Sequence, residues 1–166
     1  MRLKELDISV KEHEIKYDGR EKLISEKIER CVDECCDKPE KLEELLIEYF
    51  SLYKDEKERL MVLLFDTKLK LIGINVVAVG TIDGVQVHPR EVFRVAIAAG
   101  AKSIVIAHNH PSGDVVPSSE DINLVRRIRD AGDVVGIGLN DSFIVSVKKG
   151  KEKCRSMRRN NDIGIF

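Results

Sequence analysis

Residues 87–128 read VHPREVFRVAIAAGAKSIVIAHNHPSGDVVPSSEDINLVRRI, and the order of patterns in this stretch sets the expected fold. His88-Pro89-Arg90-Glu91 opens a helix, because proline suits a first helical turn. Val92, Val95, Ala96 and Ala99 form its apolar stripe, and Gly100 supplies the stop. Lys102 to His108 is a β-branched run that reads as a strand. A loop rich in Pro, Gly and Ser follows. The next helix is expected over 119–131, with Ile122, Leu124, Val125 and Ile128 inward and Gly132-Asp133 ending it.

Upstream, residues 59–80 read RLMVLLFDTKLKLIGINVVAVG, two strands joined at Asp66-Thr67-Lys68. Leu60 to Phe65 is almost continuously apolar, as a strand covered on both faces would be. Val85 and Val87 begin a short edge strand. Helices are expected near 20–36 and 40–53, the second with Leu42, Leu45, Leu46, Tyr49, Phe50 and Tyr53 as its stripe. Residues 1–17 alternate weakly and suit an arm or edge strand. Downstream, two strands are expected near 134–139 and 142–147, then a basic, mobile or peripheral tail over 148–166. The sum is an α/β or α+β chain with a mixed β-sheet flanked by helices.

Composition narrows the function. The chain has 166 residues, 43% hydrophobic and 34% charged, with 28 Lys plus Arg against 29 Asp plus Glu, so the formal charge is 28 − 29 = −1. A strongly basic nucleic-acid coat is excluded. No apolar run approaches membrane-spanning length, and the first residues show no signal-peptide core, so a cytoplasmic protein is the expectation. Trp is absent and aromatics are 5%, which argues against base-stacking platforms. Cys31, Cys35, Cys36 and Cys154 form no C-x-x-C pair and read as reduced, partly buried residues. Neither a Walker A motif nor G-x-G-x-x-G is present.

The chemistry concentrates at 108–121. Strand alternation points His108 and His110 the same way and Asn109 the other way. Asp121 falls in the first turn of the next helix. Two imidazoles and a carboxylate can hold a zinc ion with a fourth position left for water, the catalytic rather than the structural arrangement. Such a water has its pKa lowered toward about 7. Ser118-x-x-Asp121 also reads as a capping box, with Asp in place of Glu, and on that reading the pair merely starts a helix. Both readings stand on the residues alone.

The spacing His108-x-His110, seven residues, Ser118, two residues, Asp121 resembles the JAMM motif of the JAB/MPN metalloprotease superfamily. The quoted stretch is similar to the bacterial RadC (UPF0758) branch, over about residues 58–147. The resemblance implies a JAB/MPN, cytidine-deaminase-like sandwich over 58–147; the patterns before it read as an arm and helical hairpin over 1–57. It implies a Zn2+-dependent hydrolase of a peptide or isopeptide bond in a protein or peptide substrate. His108, His110 and Asp121 match the metal ligands. Ser118 matches the serine that aids oxyanion stabilisation, and Glu58 matches the general base, with Glu56 and Glu91 as rivals. Asn109, Ser112 and Asp114 would shape the loop. His88 would line the cleft or cap its helix, and Arg90 would meet substrate or pair with a carboxylate. The RadC label also implies an association with DNA repair, and the basic tail offers phosphate contacts; a non-catalytic interaction module is the third possibility. The chain departs from the family pattern in lacking a hairpin glycine pattern before residue 58. It also carries Ser142 where the family's Leu-Asp-His string has its histidine.

Overall fold

The computed structural model describes residues 39–53 (backbone alone for 51–53), 57–80, 87–148 and 153–164. The order is α1 (Pro39–Tyr53), β1 (Glu58–Phe65), β2 (Leu71–Gly80), α2 (Pro89–Ala98), β3 (Ser103–Asn109), α3 (Ser119–Val135), β4 (Gly138–Ser146) and β5 (Lys153–Ser156). The five strands form one sheet in the order β2-β1-β3-β4-β5. β1 lies antiparallel to both β2 and β3, β3 and β4 are parallel, and β5 is antiparallel to β4. The sheet is therefore mixed, and α3 makes the crossover that a parallel pair requires. The expected arm, the helix near 20–36 with its three cysteines, Glu56 and Val85 lie outside the described residues. Val87 is described and is not in a strand.

Alternation along the strands builds two cores. Leu60, Val62, Leu64, Ile104, Ile106 and Ile144 face one way, under Val92, Phe93 and Ala96 of α2 and Val125 and Ile128 of α3. Met61, Leu63, Phe65, Val105, Ala107, Phe143 and Val145 face the other way, under Leu42, Leu45, Leu46 and Phe50 of α1. The unbroken apolar runs of β1 and β3 follow from this double cover. Each such side chain contributes about 1.5–3 kcal/mol by leaving water. Cys154 packs at the edge of the second core, and burial pushes its thiol up to about 12, which fits an inert small hydrophobe.

Three expectations need correction. α3 does not stop at Gly132-Asp133 but runs to Val135 and ends at Gly136 with φ +76°. The glycine at 132 serves close packing: a Cβ there would lie 2.5 Å from the Ile137 carbonyl and 3.2 Å from Phe93. The two strands expected at 134–139 and 142–147 are one strand, β4, since residues 134–135 belong to the helix.

The third correction concerns the tail. Lys153–Ser156 extends the sheet, and Met157 and Ile163 are buried in the first core. Two of its arginines are engaged within the fold. Arg155 holds Asp162 at 2.6 and 2.8 Å, and Arg159 pairs with Glu40 and Glu43 of α1.

Asp141 ties this segment down. Its carboxylate accepts from Ser156 Oγ (2.6 Å), the Arg158 amide (3.0 Å) and the Ser142 amide (2.7 Å). Burial pushes the Asp141 pKa up, and these hydrogen bonds offset only part of that. A carboxyl whose folded pKa is raised binds its proton more tightly when folded, so stability falls as pH rises from below 3.8 through the folded value. Asp141→Asn keeps an oxygen for both amides and removes the buried charge. Urea unfolding at steps from pH 4 to 7 should show the variant gaining on the wild type as pH rises. A stability difference that stays flat across that range would refute this account.

Candidate metal centre

The first core's sheet face ends in polar groups. His108, opposite Leu60 in the β1–β3 ladder, closes β3 on that face and is buried. His110 lies just past the strand, but its amide still donates to Val145 O of β4 at 2.8 Å. Its Nδ1 lies 2.9 Å from the Asp114 carbonyl. A carbonyl only accepts, so Nδ1 carries a proton, and whenever the ring is neutral its Nε2 is bare. Asp114 also takes the Val116 amide on its carboxylate and donates its own amide to Ser112 Oγ. Ser112 and Asp114 thus shape the loop between β3 and α3.

The loop delivers Asp121 from the other side. Ser118 is the N-cap of α3, with extended backbone, and its Oγ accepts from the Asp121 amide at 3.1 Å. Asp121 Oδ2 accepts in return from the Ser118 amide and hydroxyl, both at 2.7 Å. The capping box is therefore real, and it does not turn Asp121 away from the histidines. With Oδ2 held by the cap, Oδ1 sits 3.1 Å from His108 Nε2. His110 Nε2 lies 3.5 Å from Oδ2, and the two Nε2 atoms are 3.0 Å apart.

The donor set fits a single ion. Tetrahedral zinc with ligand bonds of about 2.0–2.1 Å separates neighbouring ligand atoms by about 3.3 Å. The two Nε2 atoms at 3.0 Å and His108 Nε2 to Asp121 Oδ1 at 3.1 Å lie close to that value, and all three side chains offer ligand atoms within 4.8 Å of one another. Two imidazole nitrogens facing at 3.0 Å also need a proton or a cation between their lone pairs. Among the described residues, His108, His110 and Asp121 are the group of histidine, cysteine and carboxylate side chains able to hold a metal.

Electrostatics agree with this geometry. Burial alone would push the Asp121 carboxyl up, but hydrogen bonds from His108, His110 and Ser118 outweigh it and hold the group well below the usual carboxylate range. The His110 pKa is raised, chiefly by its hydrogen bond to Asp121 against the opposing effect of burial. The Asp121 charge, the Asp114 carbonyl and the Glu58 charge add to that rise.

The remaining candidates separate. Glu58 begins β1 two residues before Leu60, so alternation places it on the histidine face. Glu91 is held by Arg90 (3.1 Å) and Arg94 (3.8 Å) on the exposed first turn of α2, so Arg90 pairs with that carboxylate. His88 occupies the N-cap position of α2 without a side-chain cap bond. Ser142, in place of the family histidine, is fully buried. Asn109 does not shape the metal loop. It points to the other face, is 1% exposed, and bonds back to β1 through the Arg59 amide (2.8 Å) and the Lys57 carbonyl (3.1 Å). Alternation predicts that direction, and a buried carboxamide demands partners; the sequence offers no sign of which ones.

Comparison with known proteins meets this geometry from the other side. A family model described as the RadC-like JAB domain matches residues 36–162. A UPF0758 protein of Thermotoga maritima is 48% identical over 91 residues, 55% of this chain and 41% of that relative. One from Desulforamulus reducens is 42% identical over 94 residues, 57% of this chain and 41% of the relative. One from Finegoldia magna is 48% identical over 89 residues, 54% and 40% respectively. The matched segments span about two fifths of those relatives' length. No helix among the described residues is long and apolar enough to cross a membrane. With the match running from before α1 to beyond β5, the chain belongs to the RadC-like JAB domain family.

Proposed function

We propose that this domain is a zinc-dependent hydrolase of peptide or isopeptide bonds, with its helix–sheet–helix layers forming the JAB/MPN sandwich. The observation that carries the reading is the convergence of His108 Nε2, His110 Nε2 and the Asp121 carboxylate within 4.8 Å of one another, three such side chains rather than four among the described residues. Zinc, when bound at such a site, supplies a Lewis acid and brings the pKa of a water near 7.

The chain's own residues do the rest. Glu58 takes the proton from water as the new C–O bond forms and returns it to the leaving nitrogen as the C–N bond breaks. Ser118 donates its hydroxyl to the charge developing on the carbonyl oxygen. To do so it redirects the proton now given to Asp121 Oδ2, while the Ser118 amide keeps that oxygen in place. His110 keeps Nε2 bare by donating Nδ1–H to Asp114.

The test uses the zinc-loaded chain against pooled internally quenched peptides and isopeptides linked through Lys Nζ. The wild type should cleave a member of the pool, and chelation should stop it. Glu58→Gln should retain zinc by elemental analysis while losing roughly 10²–10⁴-fold in rate, the usual contribution of a general base. An unchanged rate in that variant removes Glu58 from the chemistry. A loaded wild type no more active than its chelated control sinks the hydrolase reading.

A further inference from the structure

We infer that Asn109 is a positioning residue, whose carboxamide grips the β1 backbone on both sides of Glu58 and aims that carboxylate at the histidine pair. The inference rests on the reading of Glu58 as the base.

The geometry is specific. The Arg59 amide donates to Asn109 Oδ1 at 2.8 Å, and Asn109 Nδ2 donates to the Lys57 carbonyl at 3.1 Å. A carboxamide has one accepting and one donating end, as a peptide group has, and here both ends are spent on the peptide groups that bracket Glu58. The grip falls where the strand pairing gives out. The β1–β3 register runs from Phe65↔Ser103 to Leu60↔His108 and goes no further. Beyond that point Glu58 and Arg59 pair with Gly80 and Val79 of β2, and the Asn109 side chain adds a tie to β3 where Glu58 must be held.

Consecutive residues divide the work. His108 and His110 face the ion, and Asn109, between them, faces away and reaches the base's backbone. The distance from ligand pair to base is thus set within one tripeptide and one short strand end, independently of α2 and α3. Asn109 is 1% exposed, so its carboxamide depends on these two bonds for its partners.

The test compares the full-length zinc-loaded wild type with Asn109→Ala and Asn109→Ser, by NMR and chelator competition. In the variants the Arg59 amide should exchange roughly tenfold faster, as loss of one hydrogen bond requires. Zinc affinity should stay within about threefold, because the imidazoles face away from the change. Nuclear Overhauser contacts between the Glu58 γ-protons and the His110 ring should be present in the wild type and lost in the variants. Contacts that persist in either folded variant reduce Asn109 to a structural clamp and overturn the inference. Should neither variant fold, the wild type still decides: an unprotected Arg59 amide, or no Glu58–His110 contact, overturns it, and protection together with contact supports it. Failure of the base reading appears separately, as an unchanged turnover in Glu58→Gln, and leaves these contacts intact.

Discussion

Asp121→Ala is expected to strip the domain of zinc. The two oxygens of this carboxylate have separate tasks. Oδ2 accepts from the Ser118 amide and hydroxyl and so closes the start of α3. Oδ1 lies 3.1 Å from His108 Nε2, where it would complete the proposed ligand set. Alanine removes both. Loss of an outer-shell partner costs about 10–100-fold in metal affinity, and loss of one ligand in three should cost more. Loss of the cap costs about 1 kcal/mol in the metal-free protein. Asp121→Asn separates the two effects, since its amide oxygen still accepts at the cap while a neutral amide is a poor zinc ligand. That variant should unfold close to the wild type without metal and still fail to bind zinc. Added zinc should raise the wild-type midpoint, because a ligand that binds only the folded state stabilises it by mass action, and should leave both variants unmoved. Elemental analysis after zinc loading and desalting gives the first readout, and thermal unfolding with and without zinc gives the second. Full occupancy in Asp121→Ala would remove this residue from the ligand set and leave the capping box as its whole role.

What the sequence made legible follows from where the partners lie. β1 and β3 are unmistakable because burial on both faces demands continuous apolar runs. The metal cluster could be read because a strand's period of two and a helix's first turn are local rules, and both apply within fourteen residues. Glu58 stood differently: the run Lys54 to Arg59 is uniformly charged, and nothing periodic separates Glu58 from Glu56, so only the family resemblance singled it out. The Asn109 grip was invisible because Lys57 and Arg59 lie about fifty residues earlier. β5 reads as part of a tail because its four residues, KCRS, carry no strand signal of their own; pairing with β4 and the buried Asp141 supply the order. Phe93 was left out of the expected stripe of α2, yet it is buried, because α3 packs closely enough at Gly132 to cover it.

That contact yields the largest stability effect expected of a small substitution. Glycine to alanine inside a helix ordinarily stabilises, by roughly 0.5–1 kcal/mol, because alanine loses less backbone entropy. At Gly132 the sign should reverse. A Cβ would stand 2.5 Å from the Ile137 carbonyl oxygen, a backbone atom that cannot swing aside, and 3.2 Å from Phe93 Cζ. The chain folds back over this residue because the amides of Gly136 and Ile137 both bond to the Gly132 carbonyl. Making room means lifting Ile137, and the next residue, Gly138, already pairs with Ser103 of β3. The strain therefore passes directly into the parallel pair whose ends carry the histidines. Overpacking of this kind costs about 3 kcal/mol, or roughly 6–12 °C in Tm for a domain of this size. Gly136→Ala is the control. Its φ of +76° strains an alanine, but nothing lies within 4 Å of the added carbon, so about 1 kcal/mol is expected there. Urea or thermal unfolding of the two variants should rank Gly132→Ala as clearly the less stable. If it proves as stable as the wild type, the close approach of α3 to Ile137 and Phe93 is wrong, and with it the seat of the helix that presents Asp121.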